Sequence, residues 1–195
     1  MRDALEVAFM ELRGKLGNPE RLMATHADPF YNLVHEPSQT MELHRRLGRW
    51  TGALQRDGWD VRVESLAALV WKAVDESGRW AAWEAFARKQ DYRTANRSMR
   101  DVLADGDSGE LQGLCLALAP LLSDETPDRL LLLTDAALLH PWFRVRTLET
   151  RFHDRISCPT VLFYPGRRSG QFGLHFLGFY SEDGNYRSTI VGGTP

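Results

Sequence analysis

Two uninterrupted apolar runs, RLLLLTD at residues 129–135 and TVLFYPG at residues 160–166, constrain the fold of this chain most strongly. Each run has the length of a strand and lacks the polar alternation of a half-buried strand. Such runs are typical of strands buried on both faces, as in a parallel sheet with helices on either side. We expect Pro165 and Gly166 to end the second strand.

Helical and strand-like segments alternate along the rest of the chain. Further strands are predicted at residues 30–35 and 59–66, and the segments 172–180 and 185–191 are predicted to pair as a closing β-hairpin. Helices are predicted over residues 2–16, from a cap at Ser38 to Gly58, over 66–73, over 79–104 in two pieces, over 111–122 with an end near Pro120, and from Pro141 onwards. The order predicts a three-layer α/β fold with a mainly parallel sheet and a C-terminal antiparallel hairpin.

The composition indicates a single domain in a reducing compartment. The chain has 195 residues, and its two cysteines, Cys115 and Cys158, lie in apolar surroundings, as buried thiols do. The N-terminal segment lacks the basic start and the apolar core of a signal peptide. No apolar stretch approaches the ~20 residues of a membrane span. We therefore expect a cytoplasmic protein without a membrane-spanning segment.

No sequence motif indicates catalysis or a cofactor. The phosphate-binding patterns GxxxxGK[ST] and GxGxxG are missing, as is the GxSxG turn of serine hydrolases. The loop after the first predicted strand, EPSQT, has no glycine that could let a phosphate approach the backbone. His35 and His44 flank this loop and could hold a metal together, or have ordinary surface and capping roles. We expect no cofactor and no metal.

One constellation of polar and aromatic residues follows the buried strands. Asp135 ends the first of them, and the following residues include His140, Trp142, Phe143, Arg144 and Arg146. Ligands of open α/β sheets bind beyond the carboxyl ends of the strands, and aromatic and arginine side chains are common interface anchors. If the two buried strands are parallel neighbours, Pro165 and Gly166 belong to the same rim. In the alternative interpretation, the arginines bridge local acids such as Glu149.

A second feature is a basic stripe formed by Lys89, Arg93, Arg97 and Arg100, which recur at helical spacing. A stripe of this kind can follow a phosphate backbone. A solvated helix face is the alternative interpretation, and Asp91 and Asp101 dilute the charge. The chain has a formal net charge of -2, and all but three of its 24 basic residues are arginines. The charge predicts at most weak, non-specific binding of DNA.

The order of several segments resembles the BrxB-like proteins of BREX anti-phage defence systems. The best pieces are LLHPWFR, VLFYPG and the final NYR, with DPFYNLVHEPSQTMELHRRL and GWDVRVESL in the front half. The likeness runs over most of the chain as a single BrxB-like α/β domain of residues 1–195, and the helical region 79–128 is less well matched. The resemblance implies a Rossmann-like fold and carries no catalytic residues.

The resemblance also implies larger partner proteins. These are an alkaline-phosphatase-like PglZ protein, an adenine-specific DNA methyltransferase and a large AAA+-type ATPase. We therefore predict a non-enzymatic interaction subunit that binds the PglZ-like protein through the rim around residues 135–146. Two alternatives remain at this point. One is a nucleotide or phosphoester enzyme with a site between Asp135 and Arg146, and the other is a subunit that binds DNA weakly through the basic stripe.

Overall fold

Six strands form the sheet of this protein in a computed structural model that describes residues 3–20, 22, 29–103, 111–152, 155–170, 173–184 and 186–193. The strands are β1 (Phe30–His35), β2 (Asp60–Ser65), β3 (Arg129–Thr134), β4 (Thr160–Ser169), β5 (Gly173–Phe176) and β6 (Thr189–Gly192). The acidic, glycine-containing segment 105–110, for which the sequence predicts a turn, lies outside the described residues.

Seven helices of at least 8 residues accompany these strands within the described part of the chain. They are α1 (Ala4–Leu16), α2 (Thr40–Arg56), α3 (Leu66–Glu76), α4 (Trp80–Arg88), α5 (Tyr92–Leu103), α6 (Gly113–Leu122) and α7 (Val145–Phe152). Short 3-10 turns follow β1 and β3, at Pro37–Gln39 and Ala136–Leu139. None of these helices is long and apolar enough to cross a membrane.

The sheet has the strand order β2-β3-β4-β1-β6, and all of these neighbours are parallel. Continuous apolar runs form β3 and the first half of β4 because both lie inside the sheet with a helical layer on each face. The outer strand β2 is partly exposed instead, and its charged Arg62 and Glu64 pair with each other at 2.7 Å. Charged side chains on an edge strand protect it from pairing with other chains.

Two hydrophobic cores lie on opposite faces of the sheet. One packs α1 and α2 against it around Trp50, which stacks on Phe9 with a ring separation of 4.5 Å. The other packs helices α3 to α7 around residues such as Leu118, Leu148 and Tyr164. The prediction of a Rossmann-like three-layer α/β fold with a mainly parallel sheet is therefore confirmed.

Two predicted helix starts were wrong. Ser38 does not cap α2, because it lies inside a 3-10 turn whose capping box joins Glu36 and Gln39. The helix α6 ends at Leu122, as predicted, and Pro120 lies in its last turn. Because Pro120 lies near the end of α6, it disturbs only the last turns of the helix. A proline lacks one N–H donor and crowds the turn before it, and the earlier hydrogen bonds of the helix are unaffected. The helix predicted from Pro141 begins only at Val145.

The segment before α7 is instead a tight turn. The backbone N–H groups of Trp142 and Phe143 both donate to the carbonyl of Leu139, at 2.9 and 2.8 Å. Phe143 is buried in the core below the turn. Burial of this aromatic ring therefore fixes the segment in a form that is not helical.

The predicted end of β4 and the predicted hairpin partners were also wrong. Pro165 and Gly166 do not end β4, which continues to Ser169 and pairs antiparallel with β5. A side chain at Gly166 would collide with the carbonyl oxygen of His175, so glycine permits this close approach. The C-terminal antiparallel hairpin therefore joins β4 to β5, while β6 pairs parallel with β1 at the far edge.

Candidate functional site

Asp135 lies at the carboxyl end of β3, in a left-handed backbone conformation with φ of 61°. Its carboxylate accepts hydrogen bonds from the hydroxyls of Ser65, at 2.5 Å, and Thr134, at 2.9 Å. The Nε2 atom of His44, on α2, lies 2.9 Å from the other carboxylate oxygen. Asp135 thus ties together the ends of β2 and β3 and the helix above them. Both oxygens of the Asp135 carboxylate are therefore in contact with side chains of the protein itself.

A cavity of about 270 Å³ lies at the carboxyl ends of β1 and β4, beside the 3-10 turn that leads into α2. Phosphates of Rossmann-like proteins bind at such positions, on free N–H groups. Here the backbone N–H of Gln39 donates to the Glu36 carbonyl at 2.8 Å, and the Glu36 carboxylate pairs with Arg167 at 3.1 Å. The turn after β1 has no glycine that would let a phosphate approach its backbone N–H groups.

His35 lines the same cavity and is almost fully buried. Burial lowers the pKa of its imidazole, and the nearby His44 adds a smaller effect in the same direction. The two histidines are therefore near enough to interact electrostatically. Within the described ranges, no cluster of three or more histidine, cysteine, aspartate or glutamate side chains could hold a metal ion.

A second cavity, of about 260 Å³, opens on the opposite side of the sheet from α1 and α2. We call it the arginine–aromatic cavity. Its lining comes from three parts of the chain that are distant in sequence, and its residues are Arg100, Pro141, Trp142, Phe143, Arg144, Val145, Phe176, Tyr180, Asp183 and Tyr186. It lies below the ~300 Å³ at which small-molecule sites begin. Its volume suits one inserted side chain better than a nucleotide.

The basic stripe leads into this cavity because α5 packs beside the turn before α7. The indole nitrogen of Trp142 donates to the side-chain oxygen of Asn96, one turn before Arg100 on α5. Arg93 and Arg97 are exposed along the same helix. Lys89 is not on this helix, because it caps the preceding helix α4. The stripe is therefore formed by the three arginines of α5.

Charges and aromatic rings face each other across the cavity. The Arg144 guanidinium lies 5.8 Å from the centre of the Tyr180 ring, and one of its nitrogens lies 3.8 Å from Asp183. Among the described residues, no acid pairs with Arg100. Tyr186 forms the wall, and burial raises the pKa of its phenol to about 12. The lining thus combines two cations with a single carboxylate and a neutral aromatic wall.

The structure divides the predicted rim into separate places. Trp142, Phe143 and Arg144 line the arginine–aromatic cavity, whereas Gly166 lines the cavity beside Glu36. Pro165 is buried inside β4. This part of the prediction failed because it placed Pro165 and Gly166 in a loop beyond the strand. Arg146 is exposed in the first turn of α7.

His140 connects the predicted residues to an aromatic turn that the sequence did not reveal. Its Nδ1 atom is hydrogen-bonded to the hydroxyl of Tyr180, 40 residues away. Phe179 stacks on Tyr180 with a ring separation of 4.9 Å and contacts the edge of His140. We call Phe176 to Tyr180 the aromatic turn. The sequence contains the tripeptide LGF at residues 177–179. No periodic pattern of residue types predicts that the side chain of Phe179 is exposed.

Both cysteines are buried. Burial raises the pKa of the Cys158 thiol to about 11, with a smaller contribution from Asp124. A thiol with this pKa is protonated at neutral pH, and only the thiolate is a strong nucleophile. Cys158 therefore has the surroundings of a structural residue.

The fold and these surfaces define a Rossmann-like α/β protein with an arginine–aromatic cavity and an exposed aromatic turn. Residues 63–191 match the sequence model of a family described as BREX protein BrxB, and this range includes the helical region 79–128. The chain therefore belongs to the BrxB family and is a component of a BREX anti-phage defence system, which confirms the resemblance. No curated protein and no solved structure matches the chain significantly.

Proposed function

We propose that the chain is a non-enzymatic interaction subunit of its BREX system and that it binds the PglZ-like, alkaline-phosphatase-fold protein. One observation carries the proposal: arginines from α5 and from the turn before α7 converge on a cavity with aromatic walls. Arginine and aromatic side chains are the residue types that dominate binding energy at protein interfaces. The methyltransferase and the AAA+-type ATPase are then secondary partners, and contact with DNA is weak or indirect.

The candidate catalytic groups support a role without chemistry of its own. Asp135 is engaged by three donors, His140 is held by Tyr180, and Cys158 is a buried thiol of raised pKa. General acids and bases need access to the substrate. The alternative function is an enzyme with a site between Asp135 and Arg146. For catalysis there, these groups would first have to lose their present contacts within the chain.

Co-purification with the PglZ-like protein tests the proposal. The tagged chain and the PglZ-like protein of the same system are co-expressed, and the captured partner is quantified. The double variant Arg144→Ala with Arg146→Ala should lower the captured partner severalfold. Its melting temperature should stay within a few degrees, since surface substitutions usually cost under about 0.5 kcal/mol.

Arg45→Ala with Arg88→Ala is a matched control, because both arginines are exposed and lie away from the cavity. This control should capture as much partner as the wild-type chain. If the Arg144 and Arg146 variant also captures the full amount, the proposed site is wrong. A large fall in its melting temperature would show that these arginines stabilise the fold instead.

A further inference from the structure

We propose that Phe179 is the apolar anchor of this docking surface and that the bound partner places an acidic side chain in the arginine–aromatic cavity beside it. The inference rests on the docking function proposed above. It adds two points to that function. Phe179 of this chain anchors the partner, and the bound segment of the partner carries an apolar residue next to an acidic one.

The exposure of Phe179 is the first observation. About 67% of this residue is accessible, although its ring stacks on Tyr180 and meets the edge of His140. The two supporting rings are themselves joined by the hydrogen bond between His140 and Tyr180. One face of Phe179 is thus supported by rigid neighbours, and the other is open. A preorganised aromatic of this kind gains apolar burial at little cost in side-chain entropy.

The backbone of the aromatic turn is the second observation. Leu177 has φ of 55°, in the left-handed region that bulky L-residues rarely adopt, and Gly178 follows with φ of 75°. The turn is held by hydrogen bonds from the N–H of Leu177 to Pro165, at 2.8 Å, and from the N–H of Tyr180 to Phe176, at 3.2 Å. Strained conformations of this kind cluster at binding sites. Here the strain sets Phe179 outside the core.

The charge of the neighbouring cavity selects the partner. Arg144 lies near Asp183, whereas no acid among the described residues pairs with Arg100. Among the described lining residues, two arginines thus face one carboxylate beside apolar walls. A guanidinium binds a carboxylate through two parallel hydrogen bonds. An acidic side chain of a protein satisfies this geometry and leaves its neighbouring apolar residue free to pack on Phe179.

A phosphate backbone fits the same surface less well. Asp183 lines the cavity, and Asp91 and Asp101 lie on or beside α5 among its arginines. A nucleic acid would bring several phosphates close to these acids, whereas a protein segment brings one carboxylate. The overall charge of -2 gives no general attraction to polyanions either.

Substitution of Phe179 tests the anchor. In co-purification with the PglZ-like protein, Phe179→Ala should lower the captured partner at least tenfold, as expected for an interface hot spot. Met41→Ala is the matched control, because Met41 has the same exposed fraction of 67% but lies on α2. It should change capture less than twofold. Phe179→Leu should restore part of the binding, and the melting temperatures of all three variants should match that of the wild-type chain.

Substitution of Arg100 tests the charge. Arg100→Glu should lower the capture more than Arg100→Ala does, because the reversed charge repels the carboxylate. Raising the salt concentration should weaken the binding of the wild-type chain more than that of Arg100→Ala. Equal capture by the wild-type chain and by Arg100→Glu would contradict the acidic partner.

The possible failures are distinguishable. Loss of partner in the Arg144 and Arg146 double variant but not in Phe179→Ala would overturn this inference and leave the docking function intact. Full capture by both variants would overturn both proposals. Two further results would assign Phe179 to another occupant and so overturn the inference. One is loss of single-stranded oligonucleotide binding in Phe179→Ala with unchanged partner capture, and the other is a dimer of the purified chain that Phe179→Ala converts to monomer.

Discussion

The indole nitrogen of Trp142 donates a hydrogen bond of 3.0 Å to the side-chain oxygen of Asn96. This bond joins the turn before α7 to the helix that carries the exposed arginines. The two residues are 46 positions apart, so their contact ties two distant parts of the cavity lining together. It acts beside the apolar packing of Met99 and Leu103 on the same core.

Removing the donor of this bond should loosen the cavity. Trp142→Phe keeps an aromatic ring but leaves the Asn96 oxygen without its donor, at a cost of about 1 kcal/mol. We expect the melting temperature to fall by about 2–4 °C, as is usual for a domain of this size. Thermal unfolding followed by circular dichroism measures it. Trp80→Phe is a suitable control, since Trp80 donates only to the exposed Asp75. An equal fall in both variants would contradict a special role of the Asn96 bond.

A methyl group at Gly166 should strongly destabilise the protein. It would lie 2.7 Å from a ring carbon of Tyr164 and would collide with the backbone of His175. Overpacking of a core costs about 1–3 kcal/mol, so Gly166→Ala should melt several degrees below the wild-type chain. A side chain at Gly184 would meet no atom within 4 Å. Gly184→Ala should therefore melt near the wild-type temperature, and similar behaviour of the two variants would mean that β4 and β5 are not this close.

The ion pair between Arg13 and Asp57 should make stability depend on pH. Two guanidinium nitrogens of Arg13 donate to the Asp57 carboxylate at 2.7 Å, and this hydrogen bonding lowers the pKa of Asp57. A lowered pKa stabilises the folded state above the unfolded pKa of about 3.9, and this contribution disappears as the pH falls through the folded value. Asp57→Asn should cost at most about 1 kcal/mol at pH 7.

Urea unfolding of wild type and Asp57→Asn at pH 7 and pH 3 checks this dependence. The difference between their free energies of unfolding should shrink at the lower pH. Glu84→Gln is the control, because its pair with Arg88 is highly exposed and should contribute nothing measurable at either pH. A difference for Asp57→Asn that is independent of pH would show that its effect is steric.

The purified chain should bind neither ATP nor GTP with useful affinity and should hydrolyse neither. The turn after β1 has no glycine that would let a phosphate approach its backbone N–H groups, and the nearby cavity is smaller than most ligand sites. Isothermal titration calorimetry at millimolar nucleotide should show no binding heat. Micromolar binding that Glu36→Ala strengthens would revive the enzymatic alternative.

Local patterns in the sequence predicted most elements of the fold. The apolar runs around Leu131 and Leu162 gave the two central strands because burial on both faces leaves no room for polar residues. The course of β4 beyond Tyr164 was not predictable from the same pattern, because its second half depends on pairing with β5. Partners that are distant in the chain leave no periodic signal in either segment.

The candidate site was predicted only in part for a similar reason. Arg144 and Trp142 lie beside a buried strand, so their neighbourhood could be inferred from the chain alone. Their meeting with Arg100 requires α5 to pack beside the turn before α7. The exposed Phe179 follows a left-handed backbone at Leu177, a residue type that ordinarily disfavours that conformation. Neither relationship is encoded in the spacing of residue types.

The double pairing of β4 constrains how the length of this protein can vary. Its first half lies between β3 and β1, and its second half carries β5 and the aromatic turn. Successive side chains of a strand point to opposite faces, so one inserted residue after Tyr164 would exchange the sides of Arg167 and Arg168. The insertion would leave the central strands paired and would shift the aromatic turn relative to α5. Homologues that keep this docking surface should therefore tolerate added residues in loops but not in the middle of β4.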